Sequence, residues 1–184
     1  MIKVGLSEMH DIASGAAILG TGGGGDPYIG KLMALTAIRD HGPVTLLDPT
    51  EVPDDWFVVP TAIMGAPTVL IERIPRGDEA VASLRLLEKY HGRKADATMP
   101  IEAGGVNSTI PFVVAAKTGL PVIDGDGMGR AFPELQMETF SIYGIPGSPI
   151  AIHDEKGNSA LLNAVDAFEF PTLRRFTVTL STRF

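Results

Sequence analysis

With 184 residues and no cysteine, the chain has no disulfide, no thiolate nucleophile and no sulfur-ligated zinc. A net charge of −7, with Arg174-Arg175 as its densest basic pair, argues against nucleic acid as a partner. No apolar run reaches the roughly 18–20 residues of a membrane span, and the start lacks a leader-peptide core, so no membrane partner is expected and a reducing cytoplasm is the expected location.

Glycine (21) and proline (14) fall at the ends of periodic segments, which reads as a turn-dense folded domain without internal repeats. Residues 7–19 predict a first helix, with Ser7 as its cap and Met9, Ile12, Ala13 and Ala16 on its apolar face. Next comes the tract Gly20-Thr21-Gly22-Gly23-Gly24-Gly25. It matches G-x-G-x-x-G in form, but it follows a helix instead of a strand, and no Gly-Lys-Ser/Thr completes a phosphate loop. It is either a helix–helix connection or a backbone surface that a ligand approaches closely. Asp26 and Pro27 then open a second helix to about His41.

Residues 44–47 and 56–64 read as strands, the second apolar enough to be covered on both faces. Pro60 within it requires either a sheet edge or a break. Glu72 lies just beyond, and pairing with Arg73 or Arg76 is its ordinary reading. Residues 78–90 predict a helix ended by Gly92.

Residues 98–101 and 121–123 read as strands ending in carboxylates, Glu102 and Asp124. Between them Ser108 or Asn107 is the expected cap of a helix that Gly119 stops, and Phe112 to Ala116 is apolar nearly all round, which predicts burial. If the two strands are parallel, both acids and the start of that helix reach one edge, where open α/β sheets place their ligands. The expected fold is therefore α/β: a mainly parallel sheet with flanking helices, rich in turns. Residues 135–143 read equally as helix or strand, 150–153 as a strand, 155–158 as a turn, and 159–168 as helical spacing. The tail 174–184 is β-like. The expected division is an α/β domain over 1–170 and the start of a second region or tail over 171–184.

Asp124 and Asp126 flank one glycine, and Arg130 follows in the same loop. Such a pair shares a proton, binds a cation or is relieved by the arginine, and an Asx-turn clamped by Arg130 is the structural alternative. Asp124, Asp126, Glu102 and Arg130 are the candidate catalytic residues. Asn107 and the backbone at Gly22, Gly23, Gly24, Gly25, Gly104 and Gly105 are the candidate substrate-binding groups. No cofactor is expected. If a metal binds, oxygen ligation by Asp124, Asp126 and Glu102 favours Mg²⁺ or Mn²⁺. His10, His41, His91 and His153 have no metal-ligand spacing, and His153-Asp154-Glu155 reads first as a surface turn.

Gly-Thr-Gly-Gly-Gly-Gly-Asp-Pro at 20–27, Pro-Ile-Glu-Ala-Gly-Gly-Val-Asn-Ser at 100–108 and Pro-Val-Ile-Asp-Gly-Asp-Gly-Met-Gly-Arg-Ala-Phe-Pro-Glu at 121–134 together resemble the S-methyl thiohydantoin desulfurase family. The likeness implies a hydantoin-related enzyme, with a second domain following this one in longer members. It implies a small cyclic amide or thioamide as substrate and attack of water at an amidine-like carbon. That attack needs a base for the water, an acid for ring nitrogen or sulfur, and donors for developing charge. On that reading Asp124 or Asp126 is the base, the other holds Arg130, and Glu102 is the second acid/base. The competing readings are a phosphate- or nucleotide-binding module using Mg²⁺, and an inactive part of a larger enzyme or homo-oligomer.

Overall fold

The computed structural model describes residues 1–65, 70, 72–73, 75–132 and 137–163. The architecture is mixed α/β, with a five-stranded sheet flanked by helices. Its strands are β1 (Ile2–Val4), β2 (Val44–Leu47), β3 (Val58–Thr61), β4 (Ala97–Pro100) and β5 (Val122–Ile123), in the spatial order β1-β2-β5-β4-β3. All neighbours are parallel except β1 against β2. Strand β1 is an addition to the sequence reading, too short and too exposed at Ile2 and Lys3 to show a period.

Helix α1 (Leu6–Gly20) forms where expected, but Ser7 is not its cap: Glu8 reaches back to take the Gly5 N–H at 2.8 Å, and the Ser7 hydroxyl donates to Glu8. Helix α2 (Pro27–His41) starts as its sequence dictates. The Asp26 carboxylate accepts the Tyr28 N–H at 2.8 Å, and Pro27 occupies the first turn, where a missing N–H costs nothing. Helix α3 (Asp78–His91) connects β3 to β4, and α4 (Ile110–Thr118) connects β4 to β5. Every residue of α4 from Ile110 to Ala115 is buried, as an all-round apolar helix demands. It packs against α2, α3 and the sheet. Its cap is not Ser108 or Asn107. Thr109 holds the N-cap position with its hydroxyl turned back to the Val106 carbonyl, and the Asn107 amide is used elsewhere.

Two apolar clusters hold the sheet. The larger includes Met9, Met33, Ile38, Leu84, Phe112 and Val122. The smaller, Ala97, Met99 and Ile123 with Trp56 and Phe140 against them, includes the alternate side chains of β4 and β5. Strand β3 is the sheet's edge, which resolves the problem of Pro60. The Phe57 carbonyl accepts the Asp96 N–H and the Phe57 N–H donates to the Asp96 carboxylate, and the Ile63 N–H donates to the Asn107 side chain on the same side. The two-residue period then turns the main-chain groups of Val58, Pro60 and Ala62 outward, where proline forfeits no ladder bond.

A short helix α5 (Thr139–Ile142) and a separate antiparallel pair, β6 (Ile150–His153) and β7 (Ser159–Leu162), complete the described residues. The helical spacing expected from residue 159 is overturned by β7. Asp154 accepts the N–H groups of Lys156 and Asn158, and that turn folds the chain back onto β6. A hairpin partner outweighs a weak helical period. The expected β-like tail and the division at residue 170 lie outside the described residues.

Glu88, 4% exposed on α3, fixes the turn into β4. It accepts from Arg85, Lys94 and the Ala95 N–H. Replacing it by leucine strands that N–H, and chemical denaturation should show a loss of about 2 kcal/mol.

Candidate functional site

Because β4 and β5 run in the same direction, Glu102 and Asp124 leave the sheet at a common edge. Their environments then diverge. Glu102 is 5% exposed, and both of its oxygens accept: Oε1 from Asn107 Nδ2 at 2.6 Å, Oε2 from the Phe132 N–H at 2.9 Å. The other end of the Asn107 amide takes the Ile63 N–H at 2.9 Å. Asn107 thus ties Glu102 to the exit of β3 and fixes the carboxylate's orientation.

Asp124 is exposed. Asp126 turns back on its own loop, accepting the Met128 N–H at 2.7 Å and the Gly129 N–H. The exposed Arg130 guanidinium donates to the Ala131 carbonyl, and none of the ion pairs among the described residues joins it to Asp124 or Asp126. The Asx-turn is present; the arginine clamp expected with it is not. Glycines at 127 and 129 leave nearby N–H groups as the cheapest partners for Asp126.

The group that sequence reasoning missed is Glu138. It sits just before α5 and is 6% exposed, and Oε1 has no hydrogen-bond partner among the described residues. Burial, reinforced by the negative charge of Glu102, pushes its carboxyl up to about 7. Gly127 makes that approach sterically available. Its N–H donates to the Ile101 carbonyl, and its own carbonyl accepts from both the N–H and the hydroxyl of Thr139. A Cβ at 127 would lie 2.6 Å from the Ile101 carbonyl oxygen and 3.4 Å from Glu138 Cδ. Part of the signal was legible, since Gly127 lies inside the Asp-Gly-Asp-Gly run. Nothing local marks Glu138 as buried.

The glycine tract meets the 104–106 loop. Gly105 and Val106 donate their N–H groups to the carbonyls of Gly23 and Gly24 at 3.2 and 2.7 Å. A side chain at Gly24 would collide with the backbone of Gly104, and one at Gly25 with Val106. Two loops in backbone contact are sufficient reason for these glycines. Gly104 in turn lies against Glu102, so the tract buttresses the carboxylate from behind.

A cavity of about 420 Å³ opens between β3, α3 and residues 145–151, and Glu138 lines it at the end nearest Ile101. The described residues contain no group of three or more His, Asp or Glu side chains that could hold a metal. Elsewhere, His153 Nδ1 meets Ser159 Oγ within the hairpin, and Arg73 pairs with Glu155 instead of Glu72.

Two measurements test this arrangement. Glu138 binds a proton more tightly folded than unfolded, so its contribution is favourable below its unfolded value near 4.5 and is lost as pH rises through about 7. Glu138→Gln should therefore match the parent near pH 4 and exceed it by on the order of 2 kcal/mol near pH 8 in urea unfolding. Separately, Gly22 has open space around it and Gly24 does not, though both have positive φ. Gly22→Ala should cost about 1 kcal/mol and Gly24→Ala about 3 kcal/mol or more, with thermal unfolding as the measurement.

The fold recurs in a solved structure. A crystal structure of a protein from Chromobacterium violaceum, a structural-genomics target, is 29% identical over 89% of this chain, with a TM-score of 0.74. This chain spans 45% of that protein's length. No curated protein is significantly similar in sequence. The family described as S-Me-THD-like, N-terminal domain, matches residues 7–164. The chain, with its buried acid pair and buttressing glycine loops, belongs to the S-Me-THD-like family through that N-terminal domain.

Proposed function

We propose that this domain forms part of a hydrolase that acts on a small five-membered cyclic amide or thioamide, such as an S-methyl thiohydantoin, by carboxylate-assisted attack of water. The observation that carries the reading is Glu138: a buried carboxyl with a free oxygen, titrating near 7, on the wall of a ligand-sized cavity. Membership of the S-Me-THD-like family supports a hydantoin-related substrate. A resident metal is not part of the proposal.

The chemistry asks one group to take and return protons near neutral pH, which a carboxyl of ordinary acidity does poorly. In the addition step the water oxygen bonds to the methylthio-bearing carbon. Glu138 accepts one water proton, and the adjacent ring nitrogen gains it. In the collapse the carbon–sulfur bond breaks and a carbonyl forms. The hydroxyl proton passes by way of Glu138 to the departing methanethiolate. The products are the ring carbonyl compound and methanethiol.

Glu102, fixed by Asn107 and the Phe132 N–H, stays an acceptor and keeps the neighbouring Glu138 basic. This reading retains Glu102 as a participant and gives proton transfer to Glu138 in place of Asp126, whose Oδ1 is engaged by its own turn. Asp124 and Arg130, both exposed, are left for substrate entry or surface roles.

In the full-length protein, Glu138→Gln should lower methanethiol release by about 10²–10⁴-fold. The parent's kcat/KM should fall about tenfold per unit below pH 7, a limb the variant lacks. Near-parental turnover in Glu138→Gln, with a collapse in Asp126→Asn, would return the base assignment to the glycine-flanked aspartates.

A further inference from the structure

The cavity is longer than the ring it is proposed to hold. One wall is a single stripe of α3, Ala80, Ser83, Leu84, Leu87 and His91, at helical spacings of three and four. From the first to the last, that stripe covers about 16 Å. The whole of β3 and residues 145–151 also line it, and Phe57, just before β3, meets His91 ring to ring, with centroids 5.0 Å apart. Glu138 lies at the other end, beside Ile101. A five-membered ring with its methylthio group fills less than half of this length.

Between its ends the groove is uncharged. Among the described lining residues only Glu138 and His91 are ionisable, and they stand at opposite ends. A peptide laid along β3 as an extra strand is disfavoured. The outward-facing set is Val58, Pro60 and Ala62, and Pro60 lacks the central N–H that such a strand would use. What remains is an apolar slot ending in aromatic rings.

We infer that the natural substrate carries an extended, uncharged apolar substituent across the ring from its methylthio carbon, seated along β3 and α3 toward Phe57 and His91. The inference rests on the ring chemistry proposed above and adds the part of the molecule that sets specificity. Burying an aryl or branched alkyl group in such a slot should favour it over hydrogen by about tenfold to a hundredfold.

The test is a series of S-methyl thiohydantoins bearing hydrogen, isobutyl, benzyl or carboxyethyl at that ring carbon, with methanethiol release by the full-length protein as readout. In parallel, melting shifts of Glu138→Gln are recorded with hydantoin and with 5-benzylhydantoin. The expected result is kcat/KM at least about tenfold higher for benzyl and isobutyl than for hydrogen or carboxyethyl. Leu87→Trp, which fills the slot on the His91 side of its middle, should bring benzyl and hydrogen within about threefold of each other. Similar turnover of all four, or preference for carboxyethyl, would overturn the substituent while leaving the ring chemistry in place. No turnover, together with a larger melting shift from 5-benzylhydantoin than from hydantoin, would remove the chemistry and retain the slot. No turnover and equal shifts would remove both.

Discussion

Holding a carboxyl group away from water is costly unless something compensates its charge, and the candidate site depends on one carboxyl that nothing compensates. Glu138 is buried, has an unpartnered oxygen and lies where Glu102 repels its ionised form. The chain tolerates this by keeping a proton on Glu138 up to neutral pH. Much of the surrounding structure serves to make that cost unavoidable. The Asn107 amide and the Phe132 N–H satisfy Glu102, so it has no reason to rotate away and share a bond. Gly127 and Thr139 lock the loop and the start of α5 together.

The glycines belong to the same construction. The tract at 20–25 and the pair at 104–105 allow two loops to meet backbone to backbone, and Gly104 then presses on the carboxyl of Glu102. Any side chain at Gly24 or Gly105 would part the loops, and the movement would pass directly to the acid. The backbone contact with residues 104–106 is by itself a structural reason for the glycine tract. The N–H groups of Gly105 and Val106 are consumed by its carbonyls, and the start of α2 is already capped by Asp26.

The fold was legible where local chemistry decides it. Asp26-Pro27 started α2, Gly92 and Gly119 ended helices, the all-apolar run at 112–116 was buried through Ala115, and the parallel crossover delivered Glu102 and Asp124 to one edge. It failed where a partner decides. Ser7 and Ser108 were good caps by type, but Glu8 and Thr109 held the geometry. Residues 159–162 carried a helical period that pairing with β6 overrode. Of the site, Glu102 and Asn107 could be named because they lie within a strand-to-helix motif. Glu138 could not. Gly127 lies against it from an earlier loop, and the residues before Glu138 hold no cap or period that marks an interior position.

Glu88 shows why burial alone would not have identified the site. The two glutamates are almost equally hidden, at 4% and 6% exposure. Burial pushes the Glu88 carboxyl up as well, but Arg85, the Ala95 N–H and Lys94 outweigh it, and the group ends below its ordinary value. Glu138 Oε1 has no such donor among the described residues, and the charge of Glu102 that acts on it has the same sign. The first arrangement uses an acid to fasten a turn, and its donors hold the carboxyl below its ordinary value. The second keeps a proton that can leave and return near neutrality, beside a cavity that admits a ligand. Water attack on a neutral ring needs that reversible proton. What distinguishes the proposed site acid from the structural one here is the partner that has been withheld.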